Sequence, residues 1–218
     1  MIFSPMMNTG ISFFPELQRY IQHTIPLEAD IPAARCGILH KIVAYIRRQQ
    51  AEGQPVNLVF ICTHNSRRSH LGQVWAAAAA HWYGIKDIHT YSGGTEATAC
   101  NLRTVAAMER AGFRVENRDP GSDNPHYFIS YATDAEPEVC FSKVYDDAAN
   151  PANQFAAIMT CGEAEQNCPF IPGAALRVPL TYNDPKEADD TPEEQARYDE
   201  RCRQIAAEMW YLFAQIHS

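Results

Sequence analysis

The chain is poor in positive charge: 18 Lys and Arg stand against 26 Asp and Glu, a formal net charge of -8 over 218 residues. That balance argues against nucleic acid or an acidic membrane surface as partner, since both call for a basic face. Long apolar runs are also missing. No segment approaches 18 uninterrupted apolar residues, and Met1 to Leu17 lacks a basic region followed by an apolar core. Neither membrane spanning nor secretion is expected, and a cytoplasmic location follows. The seven cysteines include no Cys-x-x-Cys pair and are odd in number. Free thiols in a reducing compartment fit that pattern, some of them catalytic, and neither a metal nor a cofactor is expected.

What is present is enough for one substantial core. A chain that is 46% hydrophobic at this length buries about 70% of its unfolded surface. The most informative stretch is Leu58 to Ser69, an apolar run that ends on Cys62 and passes through Thr63, His64, Asn65, Ser66 and Arg67 to Arg68 and Ser69. A loop of this length can curl so that its N–H groups point inward, and a helix starting near Arg68 adds partial positive charge. The result is a cradle for a tetrahedral oxyanion with a sulfur beneath it. The same donors would lower the Cys62 thiol from its usual ~8.5. Arg68 offers a planar fork for two oxygens, and Ser69 can bond the thiolate.

Periodicity predicts helices at about Pro15 to His23 and Ala33 to Gln50, the second with Cys36, Leu39, Val43 and Ile46 on one stripe. A strand at Asn57 to Ile61, a helix from Arg68 to Tyr83, a strand at His89 to Ser92 and a helix at Leu102 to Ala111 follow. Asn101 is the expected cap of that last helix and Gly112 its stop. This alternation implies a parallel sheet with right-handed crossovers. His126 to Tyr131 and Val139 to Tyr145 read as a hairpin that either extends the sheet or rises over the site. Phe155 to Thr160 and Leu176 to Pro179 complete the strands, and Pro192 to Ile216 is a C-terminal helix. The domain division expected is a helical extension over 1–54 and a catalytic unit over 55–218 with an insertion at about 118–154.

Cys161 and Cys168 flank Gly162 to Asn167, with Pro169 next. Phosphoester hydrolysis needs one thiolate, a cation and an acid, so a second cysteine pair suggests redox chemistry; packed core cysteines or a partial zinc site are the alternatives. Across a helical segment the two would lie roughly 10 Å apart, beyond the ~7 Å a disulfide allows, so the segment would have to bend. Gly162 and Pro169 at its borders suit such a change.

Cys62 to Ser69 resembles the active-site loop of low-molecular-weight protein tyrosine phosphatases and of the thioredoxin-coupled arsenate reductases built on that fold. Tyr91-Ser92-Gly93-Gly94-Thr95-Glu96 is similar to the family's second-strand segment, and Asp184-Pro185 to its mobile acid loop. The resemblance implies an α/β three-layer fold with a central, mainly parallel four-stranded sheet, here carrying added N-terminal helices and an inserted hairpin. It implies Cys62 as nucleophile, Arg68 and the loop from Thr63 to Ser69 as oxyanion binders, Asp184 as acid, and Asn65 and Ser92 as loop supports. The spacing of Cys161 and Cys168 is similar to the family's resolving pair, which implies arsenate reduction through a disulfide relay with thioredoxin as reductant. Phosphomonoester hydrolysis and a non-catalytic oxyanion-binding module are the alternatives, and a second copy of the chain is a candidate partner. Three departures stand out. His64 replaces a common Gly, Arg67 a frequent second Cys, and Gln73 a Glu that in some reductases helps hold potassium. His64 and His70 are expected as exposed loop residues.

Overall fold

In a computed structural model, residues 12–25, 31–168 and 170–217 are described. Pro169 and most of the stretch from Met1 to Leu17 lie outside them. The centre is strand β1 (Val56–Cys62), followed by α3 (Arg68–Trp82), which crosses to the parallel strand β2 (Ile88–Gly94). Strands β6 (Phe155–Met159) and β7 (Ala174–Pro179) add on the other side, all parallel, in the order β2-β1-β6-β7. The expected four-stranded parallel sheet is therefore present.

Side chains alternate across a strand, so β1 feeds two cores. Leu58 and Phe60 face the larger one with α3, α2 (Ala33–Ala51) and α6 (Glu194–His217). Val59, Ile61 and Cys62 face a smaller one with Phe155, Met159, Cys161 and Ala164, covered by the short helix α5 (Gly162–Asn167). The alanine run Ala76 to Ala80 is buried on every side, which lets α3 lie close to both the sheet and α6. Gly72 allows the same approach, since a Cβ there would overlap the Phe60 ring.

Helix α1 (Pro15–Thr24) and α2 are part of the larger core, through Leu17 and Ile21 and through Leu39, Ile42, Val43, Tyr45 and Ile46. The buried face of α2 is thus wider than the stripe read from sequence, and Cys36 is only half-buried on it. Helix α4 (Leu102–Ala111) has both expected end signals. Asn101 accepts from Arg103 N–H at 2.9 Å, and Gly112 takes φ 102°, which a Cβ would resist. No helix among the described residues is long and apolar enough to cross a membrane.

The expected hairpin is present, but a third strand joins it and its second strand is shorter than the sequence suggests. Strands β3 (Arg114–Asn117), β4 (Tyr127–Ser130) and β5 (Glu138–Cys140) form a separate antiparallel sheet in the order β3-β4-β5. β5 stops at Cys140 rather than Tyr145 because the chain then turns to run beside β2. There Lys143 O accepts from Gly94 N–H at 2.8 Å, and Gly94 O accepts from Tyr145 N–H at 2.9 Å. This detour brings Glu138 and Lys143 against α3. Glu138 accepts from Gln73 Nε2 at 2.8 Å and Thr90 Oγ1 at 3.1 Å. Burial pushes its carboxyl up to about 7 against the pull of those bonds and of Lys143. His70, 0% exposed, shares Nδ1 with Ser92 Oγ at 3.0 Å, and burial with the nearby Lys143 charge pushes it down to about 3. His70 is therefore not the exposed loop residue expected from sequence.

Two predictions follow from this packing. Trp75 is fully buried, contacts the rings of Tyr20, Phe113 and Trp210, and donates Nε1–H to Cys202 Sγ at 3.2 Å. Trp75→Ala should cost about 3–5 kcal/mol, read from urea unfolding midpoints at unchanged slope. For His70 the folded value lies below the unfolded 6.5, so the unfolded chain takes up the proton first and stability is lost as pH falls from there toward about 3. Glu138 has the opposite sign, stabilising as pH falls from about 7 to the ordinary glutamate value of 4.5. The two oppose each other above pH 4.5, and His70 acts alone below it. In paired unfolding curves, the stability difference between wild type and His70→Gln should move against wild type by roughly 1.4 kcal/mol per pH unit below 6.5. A pH-independent difference would mean that His70 titrates like an exposed imidazole.

Candidate active site

The loop between β1 and α3 is shaped by what grips its carbonyls. Cys62 O accepts from Thr95 N–H at 3.2 Å, Thr63 O from Glu96 N–H at 3.0 Å, and Ser66 O from Asn101 N–H at 3.0 Å. His64 O accepts from Ser142 Oγ at 2.7 Å and Thr98 Oγ1 at 3.3 Å. In a planar trans peptide the N–H of the next residue points away from the carbonyl. Outward carbonyls at 62, 63, 64 and 66 therefore turn the N–H groups of Thr63, His64, Asn65 and Arg67 to the inside. That is the ring of donors an oxyanion requires. Gly94 makes the grip possible, because a Cβ there would meet Thr63 O, Asn65 N and Glu96 O.

Asn65 is the internal brace. It sits at φ 44°, a left-handed conformation that asparagine tolerates better than most residues. Its Oδ1 accepts from Lys143 N–H at 3.0 Å, which fixes the amide so that Nδ2 donates to Ser69 Oγ at 2.9 Å. That bond leaves the Ser69 hydroxyl proton free to serve Cys62 Sγ, 3.1 Å away, when the sulfur is a thiolate. Cys62 is 3% exposed and Ser69 fully buried.

The loop's cations are held differently from each other. Arg68 donates Nη1 to Tyr182 O at 2.9 Å and Nη2 to Asp184 Oδ2 at 2.5 Å, while its buried Nε has no protein acceptor among the described residues. Asp184 caps the 3-10 turn Pro185–Ala188 by accepting from Lys186 N–H at 3.1 Å. Arg67 leads away, to Tyr198 OH at 2.8 Å and Asp189 at 3.3 Å. Ser66 Oγ donates outward to Ala99 O. Neither of these two side chains is turned into the cradle. Ser92 reaches His70 at the start of α3, so any support it gives the loop passes through that helix. His64 is half-exposed and lies 3.2 Å from Glu96.

The second cysteine pair brackets α5. Cys161 is its N-cap, 2% exposed, with Sγ accepting from Ala164 N–H at 3.3 Å and lying 3.4 Å from Thr63 Oγ1. One residue thus joins the Cys62 loop to the Cys161 sulfur. Cys168 is half-buried at the other end of α5, its carbonyl accepting from Arg177 Nε at 2.9 Å. All seven cysteines are free. Burial pushes Cys100 and Cys202 up to about 12 and Cys140 well above the ordinary thiol range, so those three are poor nucleophiles. Among the described residues no group of His, Cys, Asp or Glu could hold a metal ion.

Sequence reasoning missed Lys143, Glu138 and Glu163. The first two come from the insertion, whose return path along β2 has no local signal. Glu163 is an exposed helix residue like many others, and only its 3.0 Å bond from Thr63 Oγ1 sets it apart.

No family model matches the chain. Among curated proteins it is 26% identical over 160 residues to an arsenate reductase of Bacillus licheniformis, covering 72% of this chain and 94% of that protein. It is 28% identical over 147 residues to an arsenate reductase of Bacillus subtilis, covering 67% of this chain and 86% of that one. Among solved structures, a low-molecular-weight phosphotyrosine phosphatase from Vibrio cholerae aligns with TM-score 0.48 at 12% identity, over 73% of this chain and 95% of its own. The curated relatives agree with the resemblance of Cys62 to Ser69 to the low-molecular-weight phosphatase superfamily, in its arsenate reductase branch.

Proposed function

We propose that this protein reduces arsenate to arsenite, with Cys62 as nucleophile and Cys161 and Cys168 as the resolving pair. The observation that carries this reading is the position of the Cys161 sulfur, 3.4 Å from the hydroxyl of Thr63, the residue next to Cys62. A hydrolase has no use for a second thiol there.

Arsenate enters the ring of N–H groups and takes the Arg68 fork. Cys62 thiolate attacks arsenic, and Asp184, released from Arg68, protonates the oxygen that leaves as water. Cys161 thiolate then attacks Cys62 Sγ. The S–As bond breaks with its electron pair on arsenic, which departs as arsenite, and a Cys62/Cys161 disulfide remains. Cys168 attacks Cys161 in turn, returning Cys62 as thiolate and leaving a Cys161/Cys168 disulfide for a dithiol reductant of the thioredoxin class. With α5 helical, its two end sulfurs lie roughly 10 Å apart, so this last step needs α5 to unwind. A reducing, cytoplasmic setting suits the seven free thiols. The catalytic unit is residues 55–218, with α1 and α2 as a packed wall rather than a lid.

Phosphomonoester hydrolysis is the second reading, supported by the Arg68 and Asp184 pair, since its first step needs only those groups and Cys62. After Asp184 come exposed Lys186 and Glu187 rather than aromatic residues that would flank a phosphotyrosine ring.

Purified protein with thioredoxin, its reductase and NADPH should consume NADPH only when arsenate is added. Cys168→Ser should release about one arsenite per chain and then stop, because the relay stalls at its first disulfide. Asp184→Asn should lower kcat by about 10²–10⁴-fold. Undiminished steady turnover in Cys161→Ser would refute the resolving pair, and vigorous aryl phosphate hydrolysis without arsenate dependence would favour the second reading.

A further inference from the structure

Cys161 must become a thiolate to attack, yet at 2% exposure its thiol proton has no direct route to water. Its sulfur has two polar neighbours among the described residues. Ala164 N–H can only donate, which leaves Thr63 Oγ1 as the one acceptor for the S–H proton. The hydroxyl hydrogen of Thr63 is itself committed to Glu163 Oε2, 3.0 Å away, because an ionised carboxylate only accepts. Its lone pairs are thereby turned toward the sulfur. Glu163, in the first turn of α5, is exposed and can exchange with water.

The remaining titratable groups around Cys161 do not compete for this role. Strand β1 contributes only Cys62, and β6 contributes none. On α5, Glu165 is held by Arg177 of β7 at 3.4 Å, and Cys168 lies at the far end of the helix.

We propose that Glu163 is the proton outlet of Cys161, acting through the Thr63 hydroxyl in the arsenite-releasing step; this rests on the arsenate-reducing function above. The S–H proton moves to Thr63 Oγ1 as the Thr63 proton moves to Glu163, and the resulting carboxylic acid loses its proton to water. Thr63 then holds the proton it received between its oxygen and the sulfur, so the thiolate keeps two donors, Thr63 O–H and Ala164 N–H. The thiolate attacks Cys62 Sγ; an S–S bond forms, the S–As pair stays with arsenic, and As(V) becomes As(III) as the two sulfurs are oxidised. Glu163 is a positioning residue, since it touches the reacting sulfur only through Thr63.

The test is single-turnover arsenite release, with the Cys62/Cys161 disulfide followed by mass spectrometry, across about pH 6 to 9. Glu163→Gln should slow release on the order of tenfold at neutral pH, a modest general-base effect, and the deficit should close as pH rises and the thiol ionises unaided. Glu163→Asp should restore most of the rate, and Thr63→Val should share the pH-dependent deficit. The double variant Thr63→Val with Glu163→Gln should be no slower than Thr63→Val alone. A Glu163→Gln rate and pH profile equal to wild type would overturn the outlet while leaving arsenate reduction intact. A deficit of equal size at every pH, unrelieved by Asp, would overturn it too, as a packing effect. If wild type releases no arsenite, or Cys161→Ser releases as much as wild type, the functional reading fails first and the outlet with it.

Discussion

The direction of four peptide planes after Cys62 decides what this site can be. A loop left to itself would point its carbonyls and N–H groups at random and present a bound anion with as much repulsion as attraction. Here the segment from Thr95 to Asn101 and the Ser142 hydroxyl hold the carbonyls from outside. The positive ends of the dipoles then converge above a sulfur already bonded by Ser69. Preorganisation of this kind avoids the reorganisation that water would need around the same charge.

That grip depends in turn on the insertion. Lys143 bonds Gly94 through its carbonyl and Asn65 through its N–H, and so ties the end of β2 to the middle of the loop after Cys62. The three-stranded sheet is thus part of the site's scaffold, and it buries a histidine and a glutamate with displaced titrations at the root of α3. Buried polar groups of this sort are costly unless bonded: Glu138 is held by Gln73 and Thr90, and His70 by Ser92 at Nδ1, while its buried Nε2 has no partner among the described residues.

Local signals were the legible part of the chain. Asn101 and Gly112 bound α4 because a cap and a left-handed stop are decided within a few residues. The apolar strand ending on Cys62 and the glycine after α3 were readable for the same reason. The parallel sense of the central sheet followed from the alternation of strands and helices, and its four strands from the family resemblance. β3 was not anticipated, since Arg114–Asn117 is largely exposed and gains its strand character only from pairing with β4. The burial of His70 was hidden too, because what covers it is contributed from about seventy residues further along. At the site, Cys62, Ser69 and Asn65 converge and Arg68 meets Asp184, whereas the sense of Arg67 and the link from Ser92 to His70 depend on tertiary contacts no motif encodes.

Arg68 and Asp184 hold each other across the mouth of the cradle. A guanidinium fork can serve that carboxylate or an incoming tetrahedral anion, but not both fully at once. In that pair the Arg68 charge is matched by the Asp184 carboxylate, so an anion has to compete with Asp184 for the guanidinium. On the proposed function, an anion seated on the ring of amides would evict the carboxylate, and the same displacement would free Asp184 to act as proton donor. Arrival and arming become one event.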